Sequence, residues 1–97
     1  MVTGTWNIEI VAPIGKLGGT LVMNVDGGVL SGTLTDPNGT YDITDTSVNG
    51  NEFSFKCKLK TPMGAMAFTF AGAADGDKVA GTAKMMMGAM EFTGTRA

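Results

Sequence analysis

Methionine and lysine are the residues of this chain best suited to binding a ligand. Six of the eight methionines lie between positions 63 and 90, and lysines flank the same region. Methionine is flexible and is over-used where a surface must accept varied apolar partners. The combination favours an apolar or amphipathic anion. The predicted site comprises Ile14, Lys16, Leu17, Lys60, Met63, Met66, Met87 and Met90.

The alternative reading of the same methionines is structural. Met66, Met85, Met87 and Met90 would then fill a core, and Met63 would be a turn residue. Concave apolar sites are few in any protein, and the mouth of a β-barrel is one of their preferred locations. Both readings remain open on the sequence alone.

Tyr41 and Asp45 form the best acid–base pair that the sequence offers. Strand alternation places both on the same inward face as Ile43. A carboxylate in a dry interior has a raised pKa and can act as a general base, with tyrosine as a proton donor. This pair would support a cofactor-independent isomerase, lyase or hydrolase. The alternative is a fraying strand end where Asp45 meets water, so whether the chain is an enzyme stays open.

Other chemistries are disfavoured by residue content. The chain has no histidine and one cysteine, which argues against a zinc site, Ser-His or Cys-His catalysis and an internal disulfide. Cys57 lies mid-strand on an apolar face and is expected to be an inert core thiol. No metal and no cofactor are expected. A net charge of −2 with scattered lysines argues against nucleic-acid binding.

The elements that position these residues are short strands. Residues 52–60 alternate between apolar and polar side chains, as a half-buried strand does. Two kinds of turn separate such strands: Pro-x-Gly turns, as at Pro13-Ile14-Gly15, and Asx-Gly turns, as at Asp26-Gly27. The predicted inward set is Trp6, Ile8, Ile10, Leu21, Met23, Leu30, Leu34, Tyr41, Ile43, Phe53, Phe55, Phe68, Phe70 and Phe92. Small residues at Gly32, Gly81 and Ala83 would leave room for a modest cavity on one side.

The turns also repeat along the chain. Gly15, Gly39, Gly64 and Gly88 are spaced by 24, 25 and 24 residues, and residues 63–69 match residues 87–93 at six of seven positions. Seven turns predict eight strands in four hairpin repeats. A meander of this kind exposes two edges unless it closes, and eight strands close around a side-chain-filled interior. We therefore predict an all-β fold, with residues 1–97 forming one small, eight-stranded, antiparallel up-and-down β-barrel.

The two ends of the chain resemble the calycin superfamily of lipocalins, fatty-acid-binding proteins and avidins. Gly4-Thr5-Trp6 opens the first strand, and Arg96 lies on the inward face of the last. In calycins a Gly-x-Trp motif begins the barrel, and a basic side chain of the final strand lies over the tryptophan. The resemblance implies that Arg96 closes the barrel over Trp6 through a cation–π contact. The chain is also similar to small bacterial barrel domains that end in Phe-Thr-Gly-Thr-Arg.

Sequence patterns also bear on location and partners. No apolar run approaches the 18 residues of a membrane span, and the first residues lack a signal-peptide pattern, so we expect a cytoplasmic protein without a transmembrane segment. The outer face of the sixth and seventh predicted strands is small and nearly uncharged, and it is a candidate homodimer surface. Its residues are Ala67, Ala71, Ala80, Thr82 and Met86.

Three hypotheses for function follow. The first is binding of a small hydrophobic or amphipathic anion at the methionine- and lysine-rich mouth. The second is a ligand-free oligomerisation or packing module, or an accessory domain of a larger protein. The third is the cofactor-independent enzyme that uses Tyr41 and Asp45.

Overall fold

The computed structural model describes residues 2–12, 15–37, 39–61, 64–85 and 88–97. These residues form strands and turns, and among them there is no helix of the length and apolar character that a membrane span requires. The strands are β1 (Gly4–Ala12), β2 (Gly15–Asp26), β3 (Val29–Asp36), β4 (Gly39–Asp42), β5 (Thr44–Asn49), β6 (Glu52–Thr61), β7 (Gly64–Asp75), β8 (Lys78–Met85) and β9 (Gly88–Arg96).

Two-residue turns connect the hairpins at the end of the barrel that also holds the chain termini. Gly27, Gly50 and Gly76 each follow an Asx residue and have φ near +60°. That conformation is the one primed hairpin turns require at their first central position, and glycine adopts it without a steric cost. The Asx-Gly pairs thus locate three of the turns that the sequence predicts.

All nine strands belong to one antiparallel sheet, with the order β4-β3-β2-β1-β9-β8-β7-β6-β5. The first and last strands pair over Trp6↔Arg96 to Val11↔Glu91, so the sheet curls into a nearly closed barrel. The predicted all-β antiparallel barrel is confirmed, with nine strands rather than eight.

The additional strand arises because the fourth predicted strand bends at Ile43. Its first half, β4, pairs with β3, and its second half, β5, pairs with β6. Asp45 has φ of +48°, a left-handed conformation that aspartate tolerates better than most residues, and the register with β6 shifts between Thr44 and Ser47. The Ile43 N–H donates to the Gly32 carbonyl at 3.3 Å, which ties the bend to β3.

The interior is filled by the predicted inward set. All of its members are buried except Tyr41, which is half-buried and packs against the core. Five phenylalanines stack or tilt against one another, and the ring centroids of Phe55 and Phe70 lie 4.9 Å apart. The room expected beside Gly32, Gly81 and Ala83 is taken up: Ala83 is fully buried, and backbone atoms approach both glycines. The expected cavity beside these three residues is therefore wrong.

Candidate functional site

The end of the barrel that holds the Asx-Gly turns is closed by the chain termini. The Arg96 guanidinium lies 4.2 Å from the centre of the Trp6 ring, so the contact expected from the sequence is present. Arg96 Nη1 donates to the Thr3 carbonyl at 2.8 Å, and Trp6 Nε1 donates to the Val2 carbonyl at 3.0 Å. Val2 is itself buried. These contacts cover the core at this end, so the opposite end is the candidate site.

Three methionines and a tyrosine lie at the opposite end. Met66, Met85, Met90 and Tyr41 are half-buried, and all four pack on the core. Met66 lies opposite Leu59 in the register of β6 and β7, and Met90 lies opposite Ala83 in that of β8 and β9. We call these four side chains the methionine mouth. They are neither fully enclosed core residues nor freely solvated ones.

A groove opens in the wall of the barrel beside the methionine mouth. The register of β7 with β8 ends at Thr69↔Lys84, although β7 continues back to Gly64 and β8 continues to Met85. The two strands therefore separate, and the gap has a volume of about 510 Å³. We call this gap the β7–β8 groove. Its lining consists of Ala65, Met66, Ala67, Thr69, Lys84 and Met85.

Lysines make this part of the surface positive. Lys56, Lys58 and Lys60 are exposed on the outer face of β6, where they lie opposite Thr69, Ala67 and Ala65 of β7. Lys84 lines the groove from β8.

Acidic residues, Asp45 and Glu91 among them, share the outer surface of the barrel with these lysines. The Lys56 ammonium lies 3.9 Å from the Asp45 carboxylate, and Glu91 is exposed on β9 opposite Thr82. Since the chain carries −2 overall, the lysines form a local concentration of positive charge rather than a general property of the surface.

Some of the residues predicted for the ligand site can be placed. Met66 belongs to both the mouth and the groove, Met90 belongs to the mouth, and Lys60 is exposed beside Ala65. The structure does not describe the side chains of the other five. Ile14, Met63 and Met87 lie outside the described residues, and for Lys16 and Leu17 only the backbone of β2 is described.

Lys84 and Met85 line the groove although neither is among the eight residues predicted to bind the ligand; from the sequence, Lys84 is one of the lysines around this end of the barrel and Met85 is a candidate core residue. Both lie at the end of β8, where a run of three methionines, residues 85–87, begins; of these only Met87 is in the predicted site. The missing signal was the register, because the groove exists only where β8 stops pairing with β7. A count of residues between the two turns would have shown that β7 is longer than β8.

Tyr41 and Asp45 do not form the inward-facing pair that alternation predicts. The Tyr41 hydroxyl accepts a hydrogen bond from the Lys60 N–H at 3.4 Å. The Asp45 side chain is 72% exposed and faces Lys56, because the bulge in β5 turns it away from the core. The expectation of an inward Asp45 is therefore wrong. The tyrosine oxygen accepts from β6 and does not contact Asp45, whose carboxylate lies in water.

Cys57 is buried, and burial raises the pKa of its thiol to about 11, with the Asp36 and Asp42 carboxylates adding to the effect. Raising this pKa from an ordinary 9.0 lowers the thiolate fraction at pH 8 roughly a hundredfold. We expect the native protein to react with a disulfide reagent such as DTNB at least that much more slowly than the unfolded protein at pH 8. Equal rates in buffer and in 6 M guanidinium would contradict the burial of this thiol.

The candidate homodimer surface lies on the outer face of β7 and β8. Ala67, Ala71 and Ala80 are exposed there, Thr82 is half-buried, and Met86 lies outside the described residues. The face carries small, nearly uncharged side chains, as the sequence predicts, and the dimer stays a prediction.

Comparison with solved structures supports the fold. The chain is similar to a de novo designed fluorescence-activating β-barrel, with a TM-score of 0.59 and 18% sequence identity. The match covers 98% of this chain and 93% of the designed one. No protein-family model matches the chain, and no curated protein matches it either. At this level of identity the likeness concerns the path of the backbone only.

Proposed function

We propose that this protein binds a small amphipathic anion in the β7–β8 groove. The ligand's apolar part would rest on Met66 and Met85, and its negative group would lie beside Lys84. The observation that carries the proposal is the end of the β7–β8 ladder at Thr69↔Lys84, which opens an apolar gap directly beside an exposed cation. Apolar surface with a few polar groups at its rim is the usual composition of a small-molecule site.

The filled interior restricts how such a ligand would bind. Phe55, Phe70 and Phe92 are fully buried, so the barrel axis offers no channel among the described residues. The ligand would bind in the wall at the methionine mouth, not in the centre of the barrel as in a larger lipocalin-like protein. The proposed calycin kinship is supported by the Trp6–Arg96 contact and by the pairing of the first and last strands.

A titration with the anionic dye ANS tests this proposal. We expect saturable binding at one site per chain, with displacement by decanoate and weaker displacement by the neutral decanol. Lys84→Gln should weaken ANS binding roughly two- to fivefold, since an exposed ion pair contributes about 0.2–1 kcal/mol.

Lys78→Gln is the matched control. Lys78 is an exposed lysine of the same strand, but it lies at the Asx-Gly end opposite Asp75. We expect its replacement to leave dye binding unchanged. If neither ANS nor decanoate binds saturably, or if both lysine variants weaken binding equally, the proposed site is wrong.

Two other functions remain as hypotheses from the sequence. The packing module is favoured by the exposed alanines of β7 and β8, and sedimentation as a clean monomer at high concentration would count heavily against it. The enzyme hypothesis loses its geometric support, because Asp45 is exposed and Tyr41 faces β6.

A further inference from the structure

One short stretch of β7 has a backbone edge that β8 leaves unpaired. The β7–β8 turn closes with the pair Asp75↔Lys78, and the pair that closes a two-residue hairpin exchanges both of its backbone hydrogen bonds. The backbone N–H and C=O groups of every second residue, counted back from Asp75, therefore point towards β8. In agreement, the N–H of the intervening Ala74 donates to the other side, to the Asn51 carbonyl, at 2.8 Å.

The same count continues past the end of the β8 ladder. Thr69 and Lys84 form the last hydrogen-bonded pair of this series, and the next two residues of β7 in the series are Ala67 and Ala65. Their N–H and C=O groups point into the β7–β8 groove, where no described residue of β8 pairs with them. Alternating donors and acceptors at an open sheet edge form a template for another strand. A fatty acid cannot satisfy such a pattern, whereas a peptide backbone can.

We propose that the ligand of the β7–β8 groove is a short acidic peptide segment that adds as a strand to β7 at Ala65 and Ala67. This rests on the proposed function, because it names the class of anion that the same groove takes. Main-chain hydrogen bonds would supply affinity, and alternate side chains would supply specificity, as in other cases of strand addition.

The surrounding side chains define the peptide's pattern. Residues of the added strand that point outward would lie beside Ala67, whose side chain is small enough for Lys58, opposite it on β6, to reach across. Lys84 is the last residue of β8 that pairs with β7, so it would lie next to one end of the added strand. Residues that point inward would rest on Met66 and Met85. The expected ligand therefore alternates acidic and apolar residues.

Charge distinguishes this occupant from a second copy of the chain. A two-fold pairing of β7 edges would join the lysine-bearing faces of two copies into one surface that carries Lys58 and Lys84 twice. Like charges gathered on one face repel one another. An acidic partner replaces that repulsion with attraction between its carboxylates and the lysines.

The test uses calorimetry and amide NMR with the peptide Ac-Glu-Leu-Glu-Leu-Glu-NH2. We expect it to bind and to displace ANS, and to slow hydrogen exchange at the Ala65 and Ala67 amides at least tenfold. The same peptide with an N-methyl group on its central glutamate should bind at least tenfold more weakly, because in antiparallel pairing the residue opposite Ala67 is an outward-pointing glutamate that donates its N–H to β7. The version with lysine in place of glutamate should not bind. These peptide controls leave the protein unchanged.

Two protein variants complete the test. Ala67→Pro removes the edge N–H and should abolish peptide binding, and Ala67→Ser, which keeps that N–H, should retain it. If ANS and decanoate bind but the peptide does not, the proposed function stands and the peptide proposal is overturned. If N-methylation has no effect, strand addition is wrong. If the protein forms a dimer that Ala67→Pro dissociates, the edge belongs to a second copy and the peptide proposal is overturned. If neither the small anions nor the peptide bind, both proposals are overturned.

Discussion

Replacing Arg96 with alanine should destabilise the fold by about 2–4 kcal/mol. The guanidinium stacks on Trp6 and donates to the Thr3 and Gly76 carbonyls, at 2.8 and 3.2 Å. A desolvated cation–π contact contributes about 1–2 kcal/mol, and a hydrogen bond from a charged donor about 1.5–3 kcal/mol. The side chain also covers the fully buried Trp6 ring. For a domain of this size the melting temperature should fall by roughly 10–20 °C, measurable by circular dichroism.

Two variants separate the parts of this contact. Arg96→Lys keeps the charge and the apolar stem but loses the planar fork, so we expect an intermediate loss of stability. Asp77→Asn removes only the 3.2 Å ion pair to Arg96 Nε, in which the aspartate is 87% exposed, and should change stability by no more than about 0.5 kcal/mol. An unchanged melting temperature in Arg96→Ala would refute the role of this residue in closing the barrel.

Much of the fold could be predicted because alternation and turn chemistry are local signals. Residues 52–60 alternate so regularly that their buried face is fixed without knowledge of the partner strands. The same argument failed at Asp45, where a bulge inserts a residue and reverses the alternation. A positive φ at an aspartate has no reliable signature in a single sequence, so the division of one predicted strand into β4 and β5 could not be foreseen.

The candidate site depends more on relative strand lengths than on residue types. The sequence predicts the methionine-rich end as the place where apolar side chains meet lysines. It did not show that the opening lies in the wall between β7 and β8. That property depends on where the ladder of β7 with β8 ends, which is set by the register of the whole sheet. The register shows that Lys84, one of the lysines around this end, lines the groove itself.

The pair Gly72 and Gly81 carries the second large expected effect. They lie directly opposite each other on β7 and β8, inside the barrel. A Cβ added at Gly81 would lie 2.5 Å from the Gly72 Cα and 2.9 Å from the Ala71 carbonyl carbon. Both are backbone atoms of a paired strand and cannot rotate away. A Cβ added at Gly72 would also lie 2.9 Å from Phe92 Cζ, so the ring fills the space that these glycines leave.

Gly81→Ala should therefore destabilise the protein by about 3 kcal/mol, at the upper end of the usual cost of overpacking, because the neighbours are backbone. Urea denaturation measures this change. Gly18→Ala is the matched control: it is also a strand glycine, and among the described residues the one atom near its added Cβ is the Ile8 carbonyl oxygen at 3.9 Å. That variant should change stability by less than about 0.5 kcal/mol. If Gly81→Ala unfolds at the same urea concentration as Gly18→Ala, the two strands are not in contact at this point, and the inner wall has the room that the sequence alone suggests.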